Sequence, residues 1–313
     1  MPKNTPSISI ALCTYNGATY ISEQLDSIFR QTLPPDEIII VDDGSTDDTP
    51  TIVKKYIEKY GIIQFFENEE RLGFVRNFSR AISLTKGDYV ALSDQDDIWT
   101  ENHLEVLMHN IGDKAVCVGD AVMIGPDGRE TGQKFSAIKD NHFIPGKDVL
   151  KAYRIIYNYN PYQGASMLID RKWVNSLLPI PAEAGYHDTF LAGCASLSKG
   201  LAVIPDIITQ YRMHEGQVTH LWKADVLKEI IHKRHFICYS SKEVLIERLV
   251  TAEYDLSPEA HVFIREFKYI LELGRQKKWA KVLKIKNRHY RDIYSCKFPK
   301  YILLRTLFTL LPF

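Results

Sequence analysis

Tyr89-Val90-Ala91-Leu92-Ser93-Asp94-Gln95-Asp96-Asp97-Ile98-Trp99 runs from strand-forming residues straight into three acids within four positions. An apolar run of this kind belongs in a buried parallel strand, where unpaired charge is costly. Carboxylates gathered at the C-terminal end of such a strand make physical sense if a cation meets them there. Hard divalent ions take one or two carboxylates and complete their shell with substrate phosphates. A metal–diphosphate site is therefore one reading. The other is an acidic loop in which Asp97 or Thr100 caps a helix starting near Glu101.

Upstream, strand and helix alternate. Ser7–Cys13 reads as a buried strand, and Tyr20–Arg30 as an amphipathic helix with Ile21, Leu25, Ile28 and Phe29 inward. Pro34-Pro35 ends that helix, and Glu37–Val41 is a second strand entering Asp42-Asp43-Gly44-Ser45. Thr46 or Asp47 is placed to cap a helix through about Tyr60. Ile62–Phe66, Phe74–Thr85 and Asp88–Ser93 continue as strand, helix and strand. This order predicts an α/β fold with a parallel sheet flanked by helices. In such sheets ligands sit beyond the carboxyl ends of the strands. Three of those ends carry polar groups: Thr14-Tyr15-Asn16, Asp42-Asp43-Gly44 and Asp94-Gln95-Asp96-Asp97. Neither G-x-G-x-x-G nor G-x-x-x-x-G-K-[ST] occurs, so a nucleotide bound here would have metal-held phosphates.

Past Asn110 the rhythm changes. Ala115–Ile124 reads as a strand turned by Pro126-Asp127-Gly128, followed by a loop-rich stretch to about Pro161 with Tyr153, Tyr157 and Tyr159. Gly164–Ile169 reads as a strand, Asp188–Ser198 as a helix, and Leu201–Ile204 and Ile207–Arg212 as two short strands. From Leu221 the pattern is helical, with Val226, Ile230, Ile231, Val244, Leu245 and Leu249 on apolar faces.

Bulk composition, 45% apolar and 25% charged, is that of a globular domain and excludes a disordered or fibrous chain. The first seven residues lack the apolar core of a signal peptide. Five cysteines without a C-x-x-C pair read as buried, reduced thiols of a cytoplasmic protein. The zero net charge hides an asymmetry: Arg265–Arg305 holds 13 Lys and Arg against three acids. A basic tail on an acidic body points to an anionic partner surface. Tyr301–Phe313 is strongly apolar but too short to span a bilayer. With Lys297, Lys300 and Arg305 it suits an interfacial helix on anionic lipid, which favours the inner face of the cytoplasmic membrane over nucleic acid.

Four segments in order, Ser9–Asn16, Ile40–Asp47, Gly73–Asn77 and Asp94–Asp97, resemble the motifs of family 2 glycosyltransferases, densely over residues 6–110 and loosely to about 215. The resemblance implies a GT-A type, Rossmann-like sheet, a nucleoside-diphosphate sugar donor (dTDP- or UDP-linked), Mn²⁺ or Mg²⁺, and inversion at the anomeric carbon. It makes 1–220 the catalytic domain, with a nucleotide-sugar half to about 110, and 221–313 a helical, basic region for membrane or partner contact. It implies that Thr14, Tyr15 and Asn16 line the donor, with Tyr15 stacking on the base. Asp42 would accept from a uracil or thymine imide, beside Asp43 and Gln95, and Arg76 would reach diphosphate or base. Asp94 and Asp96 would hold the metal, joined by His214. Asp188, in Gly185-Tyr186-His187-Asp188-Thr189-Phe190, matches the general base, with His187 shaping the pocket. His187-Asp188 and Gln210-Tyr211-Arg212-Met213-His214 resemble rhamnosyltransferases of surface-polysaccharide synthesis. This favours rhamnose and a saccharide acceptor, lipid-linked given the apolar tail. Asp42-Asp43-Gly44-Ser45 is also good turn chemistry, and Trp99 and Gln163-Gly164-Ala165 serve a donor–acceptor face or the core equally well. A sugar-nucleotide nucleotidyltransferase and a non-catalytic sugar- or lipid-binding scaffold are the competing readings; the first lacks its Gly-rich loop.

Overall fold

The computed structural model describes residues 6–138, 147–157, 160–217, 234–252, 254–276 and 278–288. Along the chain these form β1 (Ile8–Thr14), α1 (Ile21–Phe29), β2 (Glu37–Asp42), α2 (Thr49–Lys59), β3 (Ile63–Glu67), α3 (Phe74–Leu84), β4 (Tyr89–Asp94) and β5 (Ile98–Trp99). Then come α4 (His103–Ile111), β6 (Val116–Ile124), β7 (Glu130–Lys134), α5 (Phe135–Ile138), α6 (Asp148–Tyr157), β8 (Met167–Asp170), α7 (Arg171–Asn175), α8 (His187–Leu197) and β9 (Leu201–Arg212). The helices α9 (Arg234–Thr251), α10 (Pro258–Arg275) and α11 (Trp279–Arg288) follow.

The strands form one sheet in the order β3-β2-β1-β4-β8-β6-β9-β5, with β7 paired to β6. β3, β2, β1 and β4 are parallel, β8 is antiparallel to both β4 and β6, and β6 and β9 run parallel. The four N-terminal strands are the ones whose apolar runs predict burial on both faces, and every residue of β1 is buried. Alternation sorts them between two cores. Ala11, Cys13, Ile39, Val41, Val90 and Leu92 pack in one cluster with α3, α8, α9 and α10. Ile10, Leu12, Ile38, Ile40 and Ala91 pack in the other with α1 and α4. The described C-terminal helices thus share the larger core: Leu245, Leu249, Phe263 and Phe267 belong to the same cluster as Phe190 and Trp173.

Several boundaries differ from the sequence expectation. The stretch read as loop contains α6, whose Ala152, Ile155 and Ile156 are buried against that core. Gly164–Ser166 is a 3-10 turn and the strand begins at Met167. The two short strands after Leu201 are one long β9, which keeps pairing with β6 across register shifts at Asp120. The N-cap of α2 is Asp48, without a side-chain capping bond, while Asp47 Oδ1 accepts from Thr49 N at 3.0 Å. Val226, Ile230, Ile231, Tyr159 and the apolar run Tyr301–Phe313 lie outside the described residues. Among the described residues no helix is long and apolar enough to cross a membrane.

Candidate active site

The carboxyl ends of β1, β2 and β4 converge as the parallel order requires: Thr14 lies opposite Asp42, and Cys13 opposite Asp94. The two acids after β2 have different surroundings. Asp42 is 1% exposed. Its carboxylate accepts from Thr14 Oγ1 and Ser45 Oγ, both at 2.6 Å, and from the amides of Gly44 at 3.1 Å and Ser45 at 2.7 Å. A carboxylate offers about four acceptor positions, and those of Asp42 are taken here by Thr14 and by the turn it opens. Asp43 accepts from Asn68 Nδ2 at 2.8 Å and Leu72 N at 2.7 Å on Oδ1, and from Gly73 N at 2.9 Å on Oδ2. Oδ2 retains one open acceptor position.

The first loop is braced by its neighbours. Gln95 accepts from Tyr15 N at 2.9 Å and donates to Tyr15 O at 3.0 Å, so its amide is spent on the loop backbone. A Cβ at 17 would stand 2.1 Å from Gln95 Oε1, so a larger residue there would displace the Gln95 amide from the loop. Asn16 adopts φ 49° and its Oδ1 accepts from Thr46 N at 2.8 Å. Thr14 is buried. Tyr15 alone of the three presents a ring outward, and the guanidinium of Arg71 lies 3.8 Å from its centroid. Arg76 is exposed on α3 and makes no hydrogen bond or ion pair with the described residues. The basic group seen at the base loop is therefore Arg71, which no sequence motif singled out.

At the end of β4 the acids divide. Asp97, 1% exposed, caps no helix: β5 follows it, and the N-cap of α4 is Asn102. Its Oδ1 accepts from Arg212 N at 3.0 Å, while its buried Oδ2 has no partner among the described residues. Burial and the charges of Asp96 and Asp94 hold Asp97 well above the usual carboxylate range. Asp96 Oδ2 lies 2.8 Å from His214 Nε2. His214 Nδ1 accepts from Gly216 N at 3.2 Å, which puts the ring proton on Nε2, facing Asp96. This meeting across the chain follows from register: β5 and β9 pair Ile98 with Gln210 and Trp99 with Thr209, so the residues beyond them come together.

Arg212 ties these parts. It is 1% exposed; Nε donates to Asp96 O at 2.8 Å, Nη1 to Pro126 O at 3.1 Å and Nη2 to Glu23 Oε2 at 2.6 Å. The Tyr20 ring lies 4.6 Å from its guanidinium and, tilted by 49°, 4.8 Å from the His214 ring. Glu23 and Tyr20, at the start of α1, carry no signal in the sequence.

Asp188 arrives in the first turn of α8, whose N-cap is Tyr186, so it is not the capping residue. Among the described residues its carboxylate accepts only from its neighbour Thr189 N, at 2.5 Å. Asp94 makes no hydrogen bond with the described residues through its carboxylate. Burial first, then the charges of Asp96 and Asp188, push it up to about 8. The Tyr211 hydroxyl is likewise raised by burial and by Asp97, Asp94, Asp96 and Asp188, so all four acids act on one space. His187 is buried against Phe78, ring centroids 3.9 Å apart, with both ring nitrogens unpartnered, and burial lowers it to about 4. It packs as a neutral ring. Trp99 is core: it stacks on His103 at 3.9 Å and donates from Nε1 to Ala165 O at 3.0 Å.

The family model for Glycosyl transferase family 2 matches residues 9–178. The chain belongs to that family. An uncharacterized glycosyltransferase of Haemophilus influenzae is 27% identical over 276 residues, covering 83% of this chain and 82% of that protein. Among solved structures, S. aureus TarS 1-349 in complex with UDP superposes with a TM-score of 0.57 at 19% identity, covering 97% of this chain and 88% of that one. The mannosyltransferase PcManGT of Pyrobaculum calidifontis, in complex with GDP-Man and Mn²⁺, gives 0.54 at 18% identity, covering 95% and 89%. At these identities the likeness is one of fold, and the GT-A sheet expected from the sequence is the fold of this family 2 glycosyltransferase.

The acids of this glycosyltransferase fit a divalent cation by donor chemistry. No three His, Cys, Asp or Glu side chains among the described residues form a ready cage. Mg²⁺-like ions do not require one, because substrate phosphates and water complete the shell. The orphaned Asp97 Oδ2 and the Asp94 carboxyl, which has no hydrogen bond with the described residues, mark a space that would hold excess negative charge if its acids ionised together.

That excess charge has a measurable cost. Asp94 stays protonated in the fold up to about 8, so its contribution to stability is complete below pH 4 and is lost as pH rises toward 8. In metal-free buffer at pH 8.5, Asp94→Asn is expected to melt about 2–6 °C higher than wild type, after discounting for the open side of the site. Near pH 4.5 the two should coincide; a gap that does not shrink on acidification would show that the charge is not its cause.

Proposed function

We propose that this family 2 glycosyltransferase is an inverting, metal-dependent enzyme that moves a sugar from a uridine or thymidine diphosphate carrier to a saccharide acceptor. The observation that carries the reading is the pairing of Asp94 with Asp188. One acid ends the strand that supplies the acid cluster, the other opens a helix far along the chain, and the charge of Asp188 helps to raise Asp94. Solved relatives in fold are complexes with UDP and with GDP-Man and Mn²⁺.

Tyr15 offers a ring face to the base, and Asp43 Oδ2 has the open acceptor position an imide N–H requires. Asp94, Asp96 and His214 would hold the cation, which when bound neutralises charge developing on the departing diphosphate. His214 then has to release its contact with Asp96 or share the ion with it. Asp188 takes the proton from the acceptor hydroxyl as the new bond forms. Its place in the first turn of α8 leaves one carboxylate oxygen outside any hydrogen bond with the described residues. His187 beneath it, buried and held neutral, takes no part in the proton transfer.

Rhamnose is the first donor choice, on the likeness of His187-Asp188 and of Tyr211-Arg212-Met213-His214 to rhamnosyltransferases. The basic, apolar C-terminus supports a lipid-linked acceptor and a position at the inner face of the cytoplasmic membrane. Thermal denaturation with a panel of UDP-, dTDP- and GDP-sugars, with and without Mn²⁺ or Mg²⁺, tests the donor side. UDP- or dTDP-sugars should raise Tm by several degrees only with the metal present. A larger rise with GDP-sugars would reassign the base, and no rise with any nucleotide would sink the reading.

A further inference from the structure

The sheet holds β9 and its extension as far as Met213, whose N–H donates to Ile124 O at 2.9 Å. His214 is the next residue, and its backbone N–H turns to a side chain instead: Gln217 Oε1 accepts it at 3.1 Å. The other end of the same amide reaches back into the strand. Gln217 Nε2 donates to Arg212 O and to the Tyr211 hydroxyl, each at 3.1 Å. Two of these partners decide which way the amide faces, because a backbone N–H can only donate and a carbonyl can only accept. Gln217 is buried, and both of its N–H groups are used. Gly216 N donates to His214 Nδ1 at 3.2 Å, and the far ring nitrogen, Nε2, then meets Asp96 Oδ2 at 2.8 Å. One side chain thus ties the hydroxyl, carbonyl and amide of three residues that lead up to the imidazole.

We propose that Gln217 is the positioning residue of His214: its amide closes the 211–217 turn so that the imidazole stands beside Asp96 before a cation arrives. This rests on the metal-dependent reading and adds to it the group that orders one of the ligands. A residue just past the end of a strand has conformational freedom, and ordering it costs entropy. The clamp meets that cost when the chain folds, so a ligand held this way loses less on binding. Tyr20 cannot do the same work, because a ring tilted by 49° against the imidazole leaves the His214 backbone unheld. Arg212 steadies the other partner, donating from Nε to Asp96 O at 2.8 Å. Gln217 makes no hydrogen bond with Asp94, Asp96 or Asp188, so its effect on the cation passes through His214. Groups that orient a metal ligand in this way contribute about 10–100-fold to affinity.

The test titrates the full chain, stripped of metal, with Mn²⁺, and reads free Mn²⁺ by electron paramagnetic resonance. It is run on the protein alone and with the nucleoside diphosphate of the donor that the thermal-shift panel selects. Gln217→Met keeps the length of the side chain and removes the amide, and should weaken Mn²⁺ binding about 10–100-fold. His214→Ala should weaken it as well, and the double variant should bind within about twofold of His214→Ala alone. A residue that merely stabilises the fold would not give that non-additivity. A loss below about threefold in Gln217→Met overturns the clamp, as does a His214→Ala variant that binds like wild type. Losses that multiply in the double variant also overturn it, because Gln217 would then act by a route other than His214. If Gln217→Met does not fold, Gln217→Asn, one methylene shorter, takes its place in the same cycle with the same thresholds. Wild-type protein that binds Mn²⁺ in neither titration would instead overturn the metal-dependent reading on which the clamp depends.

Discussion

Replacing Asp188 with asparagine is expected to lower kcat for sugar transfer by about 10²–10⁴-fold while leaving nucleotide-sugar affinity within a factor of about two. The substitution keeps the size of the side chain and an oxygen able to accept from Thr189 N, so α8 retains its first turn. What it removes is the ability to receive a proton. Because Asp188 faces Asp94 without a hydrogen bond between them, the donor-side carboxylates keep their partners. The negative charge lost near Asp94 also relieves the last of the three causes that raise it, after burial and Asp96, so the variant should be no less stable than wild type. Steady-state kinetics with both substrates varied, beside a melt of each protein, separates these effects. Turnover within tenfold of wild type would move the base to another residue.

How much of this could be read in the chain depends on range. The parallel half of the sheet was legible because β1, β2 and β4 are near-continuous apolar runs, and each ends in the polar group that lines the site. The acid cluster, the second acid on α8 and His214 were legible as residue types in sequence. What local reasoning could not reach was how the lone pairs of each acid are filled. Asp42 and Asp43 are neighbours with nearly identical sequence surroundings. Only the backbone amides of Gly44 and Ser45 on one, and of Leu72 and Gly73 on the other, decide which retains an acceptor position. Arg76 and Arg71 are similarly interchangeable in a one-dimensional reading, and the turn before α3 sends only Arg71 over Tyr15. The loop assigned before Pro161 hid α6 because its apolar residues are interleaved with Lys151 and Arg154, two cations that the fold nonetheless buries.

These misreadings share a physical cause. A polar residue's role is set by whichever partners fill its lone pairs, and in a mixed sheet those partners come from far along the chain. β9 supplies the clearest case: antiparallel pairing with a two-residue strand brings residues beyond 210 against residues before 98. No periodicity announces a pairing that short. The consequence is that the acids at the end of β4 are positioned as much by β9 as by their own strand.

Arg212 is where that dependence concentrates, and its replacement carries the largest stability change expected here. Arg212→Met removes donors from Asp96 O, Pro126 O and Glu23 in one step and leaves two carbonyls in a closed interior. Breaking a buried charged network of this kind costs about 3–5 kcal/mol. The Glu23 end is open to water, its side chain 54% exposed, so that carboxylate can rehydrate and the lower end of the range applies. A Tm lowered by about 4–6 °C follows for a chain of this size. Arg212→Lys should recover little of the loss, because one ammonium cannot span three acceptors that a planar fork reaches together. Glu23→Gln, which keeps an acceptor for Nη2, should cost less than about 1 kcal/mol. The ordering of the three variants is the test, read by thermal melts alongside transfer activity. If Arg212→Met melts within about 1 °C of wild type, the buried guanidinium is not what holds the acid loop, and the Asp96–His214 contact must be maintained by β5–β9 pairing alone.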